Sequence, residues 1–98
     1  MISDEFKPAL NQLNLLESIT DDMWKNDFQT GYDKIPNDLK EHYKPGLIHG
    51  FNMGIKKWSL LKGSAFNEED LNIIERTIAV FEHATSILNE MSFENQSD

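Results

Sequence analysis

The chain has 98 residues, 17 acidic against 9 basic side chains, a net charge of −8 and no cysteine. That length suits one compact domain, and a hydrophobic fraction of 39% is enough to build its core. The missing cysteines exclude a disulfide framework, a thiolate zinc site and a cysteine nucleophile, while the acid excess argues against a surface that tracks phosphates.

The N-terminus, Met1-Ile2-Ser3-Asp4-Glu5-Phe6-Lys7-Pro8, carries acids where a secretory signal carries cations. Apolar residues then recur at Phe6, Leu10, Leu13, Leu16 and Ile19, which predicts a first helix beginning near Lys7 with Pro8 in its first turn. Thr20 is placed to cap a second helix, whose first turn holds Asp21 and Asp22 at the positive end of the dipole. Trp24, Phe28, Tyr32 and Ile35 form its apolar face, with Gly31 as an interruption and Pro36 as the stop.

Asn37 or Asp38 can cap a short helix that Pro45 closes. Leu47, Phe51, Ile55, Trp58 and Leu61 then mark an amphipathic helix from Pro45-Gly46, with Gly63 where a C-terminal cap uses positive φ. The last helix has the clearest start. Asn67 caps, Glu68, Glu69 and Asp70 fill the first turn, and Phe66 can staple onto Leu71. Two stripes follow, Leu71/Ile74/Ile78/Phe81/Thr85/Leu88 and Ile73/Val80/Ala84/Ile87/Met91, so the helix should run from Glu68 to Met91. Such length calls either for neighbours along the whole helix or for another molecule on part of its broad apolar face. The expected architecture is an all-α bundle of about four main helices with a long C-terminal helix, one domain over 1–91 and a polar frayed tail over 92–98. The longest apolar run, Ile78-Ala79-Val80-Phe81, has four residues. A membrane span needs roughly 20, so a cytoplasmic protein is expected.

Charge is unevenly spread. Residues 1–43 carry nine acids and four lysines, residues 44–63 carry Lys44, Lys56, Lys57 and Lys62 with no acid, and residues 64–98 carry eight acids and Arg76. The ordinary explanation is that the basic helix neutralises its acidic neighbours; the sharper one is a basic patch for an acidic partner. Gly46, Gly50 and Gly54 lie four apart on that helix. Each costs on the order of 0.5–1 kcal/mol relative to Ala, which predicts either tight packing against the last helix or a smooth surface for another chain.

Catalytic and metal signals are sparse. His42, His49 and His83 share no ligand spacing, and no serine sits in a nucleophile elbow. Arg76 and His83 bracket six residues in Arg-Thr-Ile-Ala-Val-Phe-Glu-His. That spacing resembles the outer limit of the Arg-x(4–6)-His motif of HEPN-type ribonucleases, which are also small helical bundles. The resemblance covers eight residues and implies Arg76 and His83 as the catalytic pair. The chain departs from it by lacking the polar residue that usually follows the arginine, and by placing the pair inside a long amphipathic helix.

The resulting expectation is a small acidic, non-catalytic protein-binding module without cofactor or metal. An inhibitor, an immunity or antitoxin-like protein, or an adaptor would fit. It would act on a protein with a basic surface, such as one that itself binds nucleic acid, and would not contact nucleic acid or membrane directly. Its expected partner-binding residues are Glu68, Glu69, Asp70, Asp21, Asp22, Gly50 and Gly54. The alternatives are a structural homo-oligomer, such as a homodimer through the glycine stripe and the long helix, and a HEPN-like ribonuclease.

Overall fold

The last helix is the spine of the molecule. In the structure, a computed structural model that describes residues 2–65 and 67–93, four helices form: α1 Lys7–Glu17, α2 Asp21–Lys34, α3 Tyr43–Leu61 and α4 Glu68–Glu90. Short 3-10 turns occupy Asp4–Phe6, Asn37–His42 and Lys62–Ser64, and no strand occurs among the described residues. The architecture is therefore the all-α bundle with a long C-terminal helix that the periodicity indicates.

Two local signals act as expected. The Thr20 hydroxyl accepts from the Met23 N–H at 3.2 Å, and the Asn67 side chain accepts from the Asp70 N–H at 2.9 Å. Each satisfies a donor that the first turn leaves without an intrahelical acceptor. Two others act differently. Pro45 does not close a separate helix; it lies in the first turn of α3, where a missing N–H costs nothing. Gly63 has no positive φ, because α3 tightens into a 3-10 turn instead of ending in a left-handed cap. The Phe66 staple lies outside the described residues.

α1 and α2 lie end to end along one side of α4 and run in its direction. This follows from the order of their contacts: Ser3 meets Asp70, Glu17 meets Arg76, and Asp21 meets His83. α3 returns antiparallel, with Lys44 near Asn89 and Gly54 against Phe81. Every level of the molecule is thus three helices thick, and its extents are 56 × 23 × 20 Å. α4 has neighbours along its whole length, so the first of the two sequence alternatives holds.

The core has two parts. Phe6, Leu13, Ile73, Ile74 and Ile78 fill the half near the N-terminus of α4, and Trp24, Phe28, Ala84, Ile87 and Leu88 fill the other. Val80 touches both. Trp24 stacks on Phe28 at 5.5 Å, and Phe51 meets both rings edge-on. Phe93 stacks on Tyr32 at 5.0 Å and meets Tyr43 edge-on, so chain just beyond α4 joins the aromatic end.

Glycine is required at one position by a close approach. The Tyr43 hydroxyl donates to the Phe28 carbonyl at 2.7 Å, and a Cβ on Gly31 would collide with that hydroxyl. Burial pushes the Tyr43 phenol above its ordinary pKa.

Candidate functional site

The seam between α1–α2 and α4 contains the polar features of greatest interest. α1 stops at Glu17 and α2 starts at Asp21, so the intervening Ser18-Ile19-Thr20 leaves a gap in the cover over α4. A groove of about 360 Å³ opens there. Leu16, Ile19, Trp24, Ala79 and Val80 form its apolar floor, while Glu17, Arg76 and His83 stand at its rim. A second groove, of about 420 Å³, lies further along the seam between Ile2, Leu10, Ile73, Glu68, Glu69 and Asn72, and Arg76 borders both.

Arg76 and Glu17 divide the two grooves. The guanidinium donates from Nε to Glu17 Oε2 at 3.0 Å and from Nη2 to Oε1. This fork-to-fork geometry is the strongest arrangement open to such a pair. The hydrogen bond from Arg76 holds the Glu17 carboxyl below the ordinary carboxylate range, opposed by partial desolvation and assisted by the guanidinium's charge. The same bond raises Arg76. Both side chains are about one-third exposed, which places the pair's stability contribution in the surface range of roughly 0–1 kcal/mol.

His83 is held across the seam in the same way. Its Nε2 lies 2.6 Å from Asp21 Oδ1. The resemblance to HEPN-type ribonucleases implied Arg76 and His83 as a catalytic pair, and both border one groove. Each faces a carboxylate, however. Glu17 occupies the fork with which Arg76 would grip a phosphate.

The expected partner-binding residues separate into three groups. Asp21, Asp22, Glu68 and Glu69 are exposed, with Glu68 and Glu69 at the second groove and Asp21 beside the first. Asp70 departs from expectation: it is 0% exposed. Its carboxylate accepts from the Ser3 N–H at 3.0 Å and the Ser3 hydroxyl at 2.5 Å, tying the N-terminal segment to α4. Asp70 is therefore a structural clamp that cannot present its charge to a partner. The glycine stripe also divides. A Cβ on Gly54 would lie 3.1 Å from the Phe81 ring, so this glycine admits α4, whereas Gly46 and Gly50 face open space. Tight helix packing therefore explains one of the three.

Sequence reading missed the outward row of α4. Glu68, Glu75 and Glu82 recur every seven residues, which places them about 10.5 Å apart on one line of the helix. All three are exposed, and among the described residues their side chains make no ion pair or hydrogen bond. Ala79, in the first groove, is one turn from both Glu75 and Glu82. Glu68 borders the second seam groove, whereas Glu82 borders a groove on the α3 side with Asn52 and Ile55, so the row runs over the outer face of α4 between its two neighbours.

Among the described residues, no group of three or more His, Asp or Glu side chains could hold a metal ion, and no helix is long and apolar enough to cross a membrane. No protein-family model, curated protein or solved structure matches this chain.

Proposed function

We propose that this protein is a non-catalytic protein-binding module that takes a basic segment of another protein into the α1–α2/α4 seam. One observation carries the reading: two grooves with apolar residues in their lining lie along a single seam, with Glu17 at the border of one and Glu68 and Glu69 at the border of the other. Apolar floors with charged borders suit a partner that inserts large apolar side chains and surrounds them with lysine or arginine. The long-range field of an acidic chain would also speed capture of such a partner. An inhibitor, an antitoxin-like protein or an adaptor would use the surface in this way. A partner that itself binds nucleic acid would have its phosphate-binding cations covered by these carboxylates.

The test is a titration of the isotope-labelled protein with a lysine-rich helical peptide bearing leucines on one face. Amide shifts should centre on Ile73, Ala79 and Val80, and affinity should fall as salt shortens the Debye length below about 10 Å. The double substitution Glu68→Gln, Glu69→Gln should weaken binding without loss of fold. Binding indifferent to both salt and this substitution contradicts the proposal.

A further inference from the structure

The outer face of α3 is the surface that the fold explains least. None of the helix's 19 residues is fully buried, although its inner side packs along α4. Gly46, Gly50, Met53, Lys57 and Leu60 share an outward arc of roughly 80° at 100° per residue. Met53 is 55% exposed and Leu60 74%.

The charge on this face is uncompensated. Lys44 is used within the fold, donating to the Asn89 and Met91 carbonyls at the end of α4. Lys56, Lys57 and Lys62 make no ion pair or side-chain hydrogen bond among the described residues. No acid occurs between Glu41 and Glu68. The expectation that the basic helix neutralises its acidic neighbours therefore fails at the level of individual contacts. Lys56 and Lys57 are exposed cations on α3 without a side-chain partner among the described residues, in the same stretch of helix as the exposed Met53 and Leu60.

We infer that the outer face of α3 binds an acidic amphipathic helix of another protein. Carboxylates on that helix would meet Lys56 and Lys57, and its apolar residues would pack on Met53 and Leu60. Its backbone could approach closely where Gly46 and Gly50 leave open space. Nucleic acid fits less well, because the face offers no arginine for bidentate phosphate contacts and no phosphate backbone would use the apolar Met53 and Leu60. This inference stands apart from the seam, which takes a partner of opposite charge.

The probe is a synthetic helical peptide of roughly 20 residues, matching α3 in length, with leucines on one face and glutamates elsewhere. Amide shifts on titration should map to Gly46, Gly50, Met53, Lys57 and Leu60. The double substitution Lys56→Glu, Lys57→Glu should lower affinity about tenfold or more. Leu60→Asp should also weaken binding, whereas Lys25→Glu on α2 should leave it unchanged. Thermal melts of these surface variants should match wild type, which separates lost binding from lost fold. The inference is overturned if the peptide does not bind, if its shifts fall outside α3, or if the lysine substitutions leave affinity intact. Tighter binding of duplex DNA to this face, or self-association through it that excludes the peptide, overturns it as well.

Discussion

The two sides of α4 are built differently. On the α1–α2 side, side chains far apart in sequence are joined in pairs: Ser3 with Asp70, Glu17 with Arg76, Asp21 with His83. Phe6, Leu13, Trp24, Phe28 and Tyr32 are buried there. On the α3 side no residue of the helix is fully buried, two glycines face open space, and three lysines have no partner. The contrast shows that a helix can be anchored by one face alone, leaving the rest of its sequence pattern unexplained by folding.

The largest expected effect comes from removing packing in the core. Leu88 is 0% exposed, so Leu88→Ala should cost about 2–5 kcal/mol in denaturant unfolding. Leu60→Ala, on the open side, should change stability by no more than about 0.5 kcal/mol. Equal losses would erase the distinction between the two sides. Next comes the buried clamp: Asp70→Ala should cost about 1–3 kcal/mol, because it strips Ser3 of its acceptor within the protein. Glu68→Ala, two residues away and exposed, should cost about 0.3–1 kcal/mol through the helix dipole.

Glycine substitutions sharpen the comparison by sign. Gly50→Ala should stabilise the protein by about 0.5–1 kcal/mol, since the new methyl meets nothing and the helix gains propensity. Gly31→Ala should destabilise it, because the methyl displaces the Tyr43 hydroxyl from the Phe28 carbonyl. The paired melting temperatures check both. A loss at Gly50 equal to that at Gly31 would mean that α3 is covered in solution.

The smallest effect is pH-dependent. Glu17 titrates below its ordinary range in the folded protein, so its contribution is present above the unfolded carboxylate value and disappears as pH falls through the folded one. The stability difference between wild type and Glu17→Gln should therefore be largest near neutrality, at less than about 1 kcal/mol. It should vanish in acid. A difference that grows with acidification would have the wrong sign.

The contrast also explains what could be read from sequence. Thr20 and Asn67 were legible because capping is decided within one turn. The two stripes of α4 were legible because periodicity reports a buried face directly. Asp70 was not, since beside Glu68 and Glu69 it has the appearance of a dipole-favoured surface acid. Only its contact with Ser3, 67 residues away, reveals a clamp. Pro45 and Gly63 misled because each residue type serves more than one role at a helix end. The grooves arise from where α1 and α2 meet on α4, a property of tertiary packing rather than of any segment. The +4 charge of residues 44–63 was visible from the start; that three of its lysines have no partner was not.

The most direct test titrates one labelled sample separately with the lysine-rich and the glutamate-rich peptide. Two non-overlapping sets of amide shifts are predicted, one along Ile73, Ala79 and Val80 for the basic peptide, the other along Gly50, Met53 and Leu60 for the acidic one. Shifts on one common surface, or none with either peptide, would contradict the account of a spine with two recognition faces of opposite charge.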